Sequence, residues 1–286
     1  MKLAWLVLLA GCSDALDQRL AIVDRDRVLA ITSEPPEVTP GNAAVLTALV
    51  GSPTGTLGEA PAWSLCTAPK PPTEDNAVAD GCLADQVTPL GTSPTLTATI
   101  PVDACRTYGP DVTSTGFRPR DPDPTGGYYQ PIRAAVPSID LAFGFTRITC
   151  DLANAPGDVA QQYLETYVAN ANPTLDAPVV ASSVATDSDV TLSIGWPADA
   201  VESYVYFDPD TETLITRRES IRLSWFATAG SLAVDASAVD DDTSTSVSTT
   251  WHTPSQPGTV FLWFVLRDSR GGIATASASV EVTTPR

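Results

Sequence analysis

The residues able to do chemistry in this sequence are few. Its 286 positions include one histidine, His252, and five cysteines at 12, 66, 82, 105 and 150. A single histidine excludes a multi-His metal site. A Ser/His/Asp relay would have to run through Trp251-His252-Thr253-Pro254, and no Gly-x-Ser-x-Gly elbow occurs to supply its nucleophile. Four cysteines are enough for a zinc site, but such sites usually show a Cys-x-x-Cys pair, which is absent here. Gly271-Gly272 follows a strand pattern and precedes another, so it is no phosphate loop. The chemistry left is oxygen ligation. Asp121-Pro122-Asp123-Pro124-Thr125-Gly126 sets oxygen-bearing side chains at positions one, three and five, with glycine at six, as a calcium loop begins. Position twelve is Ile132 rather than a bidentate glutamate. Asp208 and Asp210, and the run Asp240, Asp241 and Asp242, are further oxygen clusters. Calcium is therefore the one metal these loops suggest. The competing reading is a set of solvated acidic turns, and no other cofactor is expected.

Charge narrows the partners. Sixteen Lys+Arg against 34 Asp+Glu give a formal net charge of −18, which disfavours nucleic acid because phosphate binding needs clustered bases. Twenty-five prolines disfavour a mainly helical chain, since each costs about 3 kcal/mol inside a helix.

The N-terminus reads as an address. Met1-Lys2 carries one positive charge, and residues 3–10 are apolar without a break, far short of the roughly 20 needed to span a bilayer. The run closes on Leu9-Ala10-Gly11-Cys12. That tetrapeptide resembles the lipobox of bacterial lipoproteins, which implies cleavage before Cys12 and acylation of that cysteine. Residues 1–11 are then a lipoprotein signal peptide and residues 12–26 a lipidated tether. Ser13, rather than Asp, after the cysteine resembles the outer-membrane sorting signal of Gram-negative bacteria. No later apolar run is long enough to span, so the expected membrane attachment is through lipid alone. Export also accounts for the other four cysteines, whose even number suggests two disulfides. Three pairings are possible. Cys66–Cys82 with Cys105–Cys150 is favoured because each bond closes one Pro/Gly-rich excursion.

The rest of the chain reads as strands. Alternation marks residues 27–31, 44–50, 95–100, 132–136 and 139–149, and then 189–194, 203–207 and 221–226. Two runs, 258–268 and 273–282, flank Ser269-Arg270-Gly271-Gly272 as a hairpin. The bend at Glu34-Pro35-Pro36-Glu37, Trp63 just before Cys66, the echo of that tryptophan at Trp225, and the closing Asp-x-x-Gly-Gly turn carry a resemblance to immunoglobulin-like modules. In such modules the first strand breaks at proline and crosses to the facing sheet, and a core tryptophan sits on the third strand. The chain as a whole resembles exported lipoproteins with tandem immunoglobulin-like domains, such as those of myxobacteria.

The expected fold is therefore mainly β, with two immunoglobulin-like β-sandwich domains joined by a segment with one short helix. The first domain covers residues 27–152, the hinge 153–173 and the second domain 174–286. Asp158 is the expected helix N-cap, with Val159, Tyr163 and Tyr167 on one face and Leu164 and Val168 widening it. A long Pro/Gly-rich loop at 106–131 holds Tyr108, Phe117, Tyr128 and Tyr129, which either cap a sheet edge or bind a partner. The expected function is a non-catalytic structural or binding module at the envelope, on the outer membrane, with a protein or polysaccharide partner. Calcium-dependent adhesion or glycan binding is the alternative, and a hydrolase is the third reading.

Overall fold

The computed structural model describes residues 20–68, 78–108, 126–152, 155–239 and 243–285. The first sandwich comprises β1 (Arg27–Glu34), β2 (Glu37–Val38), β3 (Ala43–Ser52), β4 (Gly55–Leu57), β5 (Ala62–Cys66), β6 (Val87–Thr92), β7 (Thr95–Thr99), β8 (Gly127–Ala135) and β9 (Ala142–Thr149), with short helices α1 (Asp80–Leu83) and α2 (Ala104–Tyr108) between strands. In one sheet β3 pairs with β1, β4 and β7; the facing sheet runs β2–β9–β8–β5–β6. The chain changes sheets at Pro35-Pro36. Before the prolines β1 is antiparallel to β3, and after them β2 lies parallel to β9. Proline has no N–H to give a ladder, so pairing is naturally interrupted there.

The same plan recurs after α3 (Gly157–Thr166). The second sandwich has β10 (Ser183–Ala185), β11 (Asp189–Gly195), β12 (Ser203–Asp208), β13 (Thr213–Arg218), β14 (Ile221–Ala227), β15 (Ser231–Leu232), β16 (Ala236–Val239), β17 (Ser246–His252), β18 (Gly258–Asp268) and β19 (Ile273–Thr283). Its large sheet runs β10–β19–β18–β14–β16, with β10 parallel to β19 just as β2 is parallel to β9. The facing sheet is β11–β17–β15. Both halves are thus immunoglobulin-like sandwiches. The run at 203–207 is a strand, but among the described residues it belongs to neither sandwich sheet: β12 pairs there with β13, as a hairpin inserted between β11 and β14.

Each core is built around the tryptophans. Trp63 packs with Ile31, Leu46, Leu65 and Ile132, and its indole N–H donates to the Ser93 carbonyl at 2.8 Å. Trp225 and Trp251 pack with Leu192, Leu223, Leu262 and Phe264, their N–H groups satisfied by Ser237 Oγ and the Ala229 carbonyl, each at 3.0 Å. Disulfides join Cys66 to Cys82 and Cys105 to Cys150. The first ties α1 to β5, and the second ties α2 to the chain just after β9.

The helix departs from expectation at both ends. Pro156 holds the N-cap position without a side-chain bond, and Asp158 lies in the first turn instead, where a negative charge still favours the helix dipole. Tyr163 is buried and stacks on Tyr167 with ring centroids 4.7 Å apart. Leu164 and Val168 are 59 % and 63 % exposed, so the apolar stripe is narrower than its spacing suggests.

The sandwiches are fused through β18. Its residues 260–266 form an unbroken apolar run, with Val260, Leu262, Phe264 and Leu266 in its own core. Trp263, on the opposite face, packs against Leu29 of the first half and against Val23, which is fully buried although the sequence reading puts it in the tether, with Phe226, Phe261 and Leu49 around them. Leu29 reaches this position through a β-bulge. Val28 opposes Val50 and Ala30 opposes Leu49, so Leu29 is the extra residue and is re-aimed toward the second sandwich. The Trp263 indole N–H donates to Thr56 Oγ1 at 2.9 Å, and Val23 N–H to the Ala227 carbonyl at 2.8 Å.

Candidate functional site

The most chemically unusual place in the molecule is the junction where β2, β9, the segment after α3 and the β18–β19 turn meet. Glu37 stands at its centre with no exposed side-chain area. Its Oε1 accepts from Arg147 Nε at 3.0 Å and Thr149 Oγ1 at 2.7 Å, and its Oε2 from the Asn170 backbone N–H at 2.7 Å. The Tyr167 hydroxyl lies 2.8 Å from both oxygens. A carboxylate out of water needs this many donors to offset its lost hydration.

Arg270 faces it from the hairpin turn. Its Nε donates to Glu219 Oε1 at 2.6 Å, Nη2 to Glu202 Oε2 at 2.6 Å, and Nη1 to the Val168 carbonyl at 2.9 Å. Its guanidinium lies 4.7 Å from the Tyr204 ring centroid. The closing Asp-x-x-Gly-Gly motif explains how the turn holds Arg270 in place. Asp268 Oδ1 accepts the N–H groups of Arg270 and Gly272, each at 2.8 Å, so the carboxylate caps its own turn. Gly272 is required for that closure, because a Cβ there would sit 2.0 Å from Asp268 Oδ2.

Two asparagines join the halves. Asn170 gives its backbone N–H to Glu37 and its amide N–H to Asp268 at 3.3 Å. Asn172 donates to the Ser33 carbonyl at 2.7 Å and accepts from the Ile273 N–H at 2.8 Å. The Asn-Ala-Asn-Pro stretch that ends the helix pattern in sequence is, in the fold, a clamp between domains.

Four carboxylates, Glu37, Glu202, Glu219 and Asp268, share this space with two guanidinium groups, Arg147 and Arg270. Full ionisation would leave 2 − 4 = −2. Burial, reinforced by the Asp268 charge, pushes Glu219 up to about 7. Burial likewise raises Asp268. Tyr167 is pushed up to about 12, chiefly by burial. Burial works against the Arg270 charge, but the bond to Glu219 outweighs it and holds Arg270 above its ordinary range.

Beside the junction runs a cleft of about 560 Å³, lined by the β1 residues Val28, Leu29, Ala30 and Ile31, by Tyr129 and Phe145 of the first half, and by Arg267 and Ile273 of the second. Gly144 lies in its wall, and a Cβ there would meet Ile31 at 2.6 Å.

The residues singled out by sequence fall in different places. Tyr128 and Tyr129 are in β8 and not in a loop, so the structured part of 106–131 is larger than expected. Tyr128 is 5 % exposed and belongs to the core, which removes it from any partner surface. Tyr129 pairs with Arg147, whose guanidinium lies 5.4 Å from its ring centroid, at the edge of the cleft. Tyr108 ends α2. Phe117, Asp121, Asp123, Thr125, Asp240, Asp241 and Asp242 lie outside the described residues, as does Cys12. Asp208 accepts the Asp210 N–H at 3.0 Å within the β12–β13 turn, and this bond holds its carboxyl below the ordinary range. Among the described residues no group of three or more His, Cys, Asp or Glu is placed to hold a metal. His252 is exposed at the end of β17, with Nδ1 2.8 Å from Asp189 Oδ1. In sequence Glu37 belongs to the proline bend, Tyr167 to the helix face and Asp268 and Arg270 to the closing turn, but no pattern marked them as one charged cluster; the apolar run at 260–266 is the signal that could have shown a second buried face.

No protein-family model matches the chain, and no curated protein does. Among solved structures, the D0-D1 domain of intimin is 11 % identical at a TM-score of 0.24, covering 90 % of this chain and 99 % of that one. The adhesin InvE of Yersinia pseudotuberculosis is 9 % identical at 0.22, covering 88 % of this chain and 58 % of that one. SGBP-B of Bacteroides ovatus, in complex with a mixed-linkage heptasaccharide, is 12 % identical at 0.19, covering 92 % and 46 %. At such scores the description of this chain rests on its own strand pairing, which defines a tandem immunoglobulin-like β-sandwich protein.

Proposed function

We propose that the chain is an exported, lipid-anchored module of the cell envelope, without a catalytic step of its own. It holds two sandwiches in a fixed relation and presents their loops to an envelope protein or polysaccharide. The observation that carries this reading is the junction. A buried carboxylate and a buried guanidinium, contributed by opposite halves and bridged by Asn170 and Asn172, join the pair through several polar contacts, an arrangement suited to projecting a surface from an anchor. The two disulfides support export, because such bonds persist in oxidising compartments. Leu9-Ala10-Gly11-Cys12 supports acylation, and Ser13 supports the outer membrane as the destination.

Palmitate labelling and membrane fractionation of cells expressing wild-type protein or Cys12→Ser test the anchor. The expected result is loss of label and release of the variant into the soluble fraction. Unchanged labelling and membrane retention of Cys12→Ser would refute it.

A further inference from the structure

The geometry points to the interdomain cleft as a binding site for a small amphipathic carboxylate, an apolar body with one anionic head, with Arg267 as the charge anchor. The volume of about 560 Å³ falls within the roughly 300–1,000 Å³ of ligand sites, which favour domain interfaces. The walls include Val28, Leu29, Ala30 and Ile31 of β1 together with Phe145 and Ile273, a surface suited to a hydrocarbon.

The cation in that wall is the part that calls for an anion. Arg267 offers five N–H donors, and the bonds it makes go to neutral oxygens, Leu29 O at 3.2 Å and Ser224 Oγ at 3.4 Å. No carboxylate lies within ion-pair distance among the described residues, although the chain holds 34 of them. Its neighbour makes matters worse. Arg222 on β14 stands directly opposite Arg267 on β18, and like charges in that position destabilise a sheet. Burial first, and Arg222 second, lower the Arg267 pKa. Asp268 also borders the cleft, but its Oδ1 is tied to the N–H groups of Arg270 and Gly272. A part-buried guanidinium with free donors, in an apolar cleft, beside a second arginine, is matched by a carboxylate whose tail covers the apolar wall.

Calorimetric titration of the full chain with dodecanoate and with dodecan-1-ol, each below its aggregation limit, tests this. Dodecanoate is expected to bind at one site and the alcohol at least tenfold more weakly. Arg267→Gln should bring dodecanoate down to the level of the alcohol. Should Arg267→Gln fail to fold, Ile273→Trp serves instead, filling the cleft and leaving the guanidinium in place; it should abolish binding. The proposal is overturned by no dodecanoate binding, by equal affinity for acid and alcohol, or by unchanged affinity in Ile273→Trp. Binding to phosphatidylglycerol vesicles without binding to dodecanoate would assign the arginines to a lipid surface and overturn it too. None of these outcomes depends on Cys12.

Discussion

Replacing Arg270 with methionine should separate the junction from ordinary packing. In the native protein its guanidinium serves Glu219 and Glu202 at 2.6 Å and the Val168 carbonyl at 2.9 Å. Without it, Glu219, which is 2 % exposed, keeps only the Glu202 backbone N–H as a described donor, at 2.9 Å. Removing one partner of a buried ion pair costs about 3–5 kcal/mol, because the other charge is left uncompensated. Glu219 limits that cost by taking up a proton, so the loss depends on pH. Each pH unit over which the variant holds a proton that the native protein has released reduces the loss by about 1.4 kcal/mol. The expected result in urea unfolding is a loss of about 3–5 kcal/mol at pH 8 and a clearly smaller one at pH 5. In thermal scans at pH 8 the same loss lowers the midpoint by on the order of 10 °C. Arg270→Met combined with Glu219→Met should recover most of it, since the stranded carboxylate is then gone. A loss below about 1 kcal/mol at pH 8, or a larger loss at pH 5 than at pH 8, would refute the electrostatic account.

The native protein should itself lose stability as pH rises. Glu219 is raised in the fold from 4.5 to about 7, so between those values the folded state keeps a proton that the unfolded chain releases; stability falls across that window by about 3 kcal/mol and levels off above it. Urea midpoints at pH 5 and 8 check the sign, and the slope should weaken in Glu219→Gln. Gly272→Ala should cost about 2 kcal/mol or more, because the new Cβ meets Asp268 Oδ2 at 2.0 Å and the turn must open; exchange of the Ile273 amide should speed up markedly. Cys105→Ser with Cys150→Ser opens a loop of sequence separation 45, which the chain-entropy model values at about 4 kcal/mol; a thermal scan against the native protein measures it. Asn172→Ala should loosen the halves without unfolding either, visible as faster proteolysis between residues 168 and 176 while both cores keep their tryptophan fluorescence.

Much of the fold could be read from sequence, because period-two alternation reports a half-buried strand directly. Arg27–Glu34, Ala43–Ser52 and Thr95–Thr99 fall where alternation puts them, and Pro35-Pro36 marks the change of sheet. Trp63 and Trp225 were legible as core residues from their place on a strand. The junction was not legible. Glu37, Arg147, Glu219 and Arg270 are spread over 233 positions and no single motif unites them, and a buried charge looks like a solvated one until its partner is placed beside it. Leu29 gave no warning either, since a bulge depends on the pairing of two strands and not on one. Tyr128 misled for a related reason. It follows a proline-rich stretch, and strand β8 takes it up immediately afterwards.

The two-faced burial of β18 affects how this gene can be cut and recombined. A fragment beginning at residue 174 would carry a complete second sandwich and yet turn Phe226, Phe261 and Trp263 out to water as a sticky patch. Tandem modules are commonly shuffled one at a time, but these two are expected to travel together, inherited, expressed and degraded as a single piece.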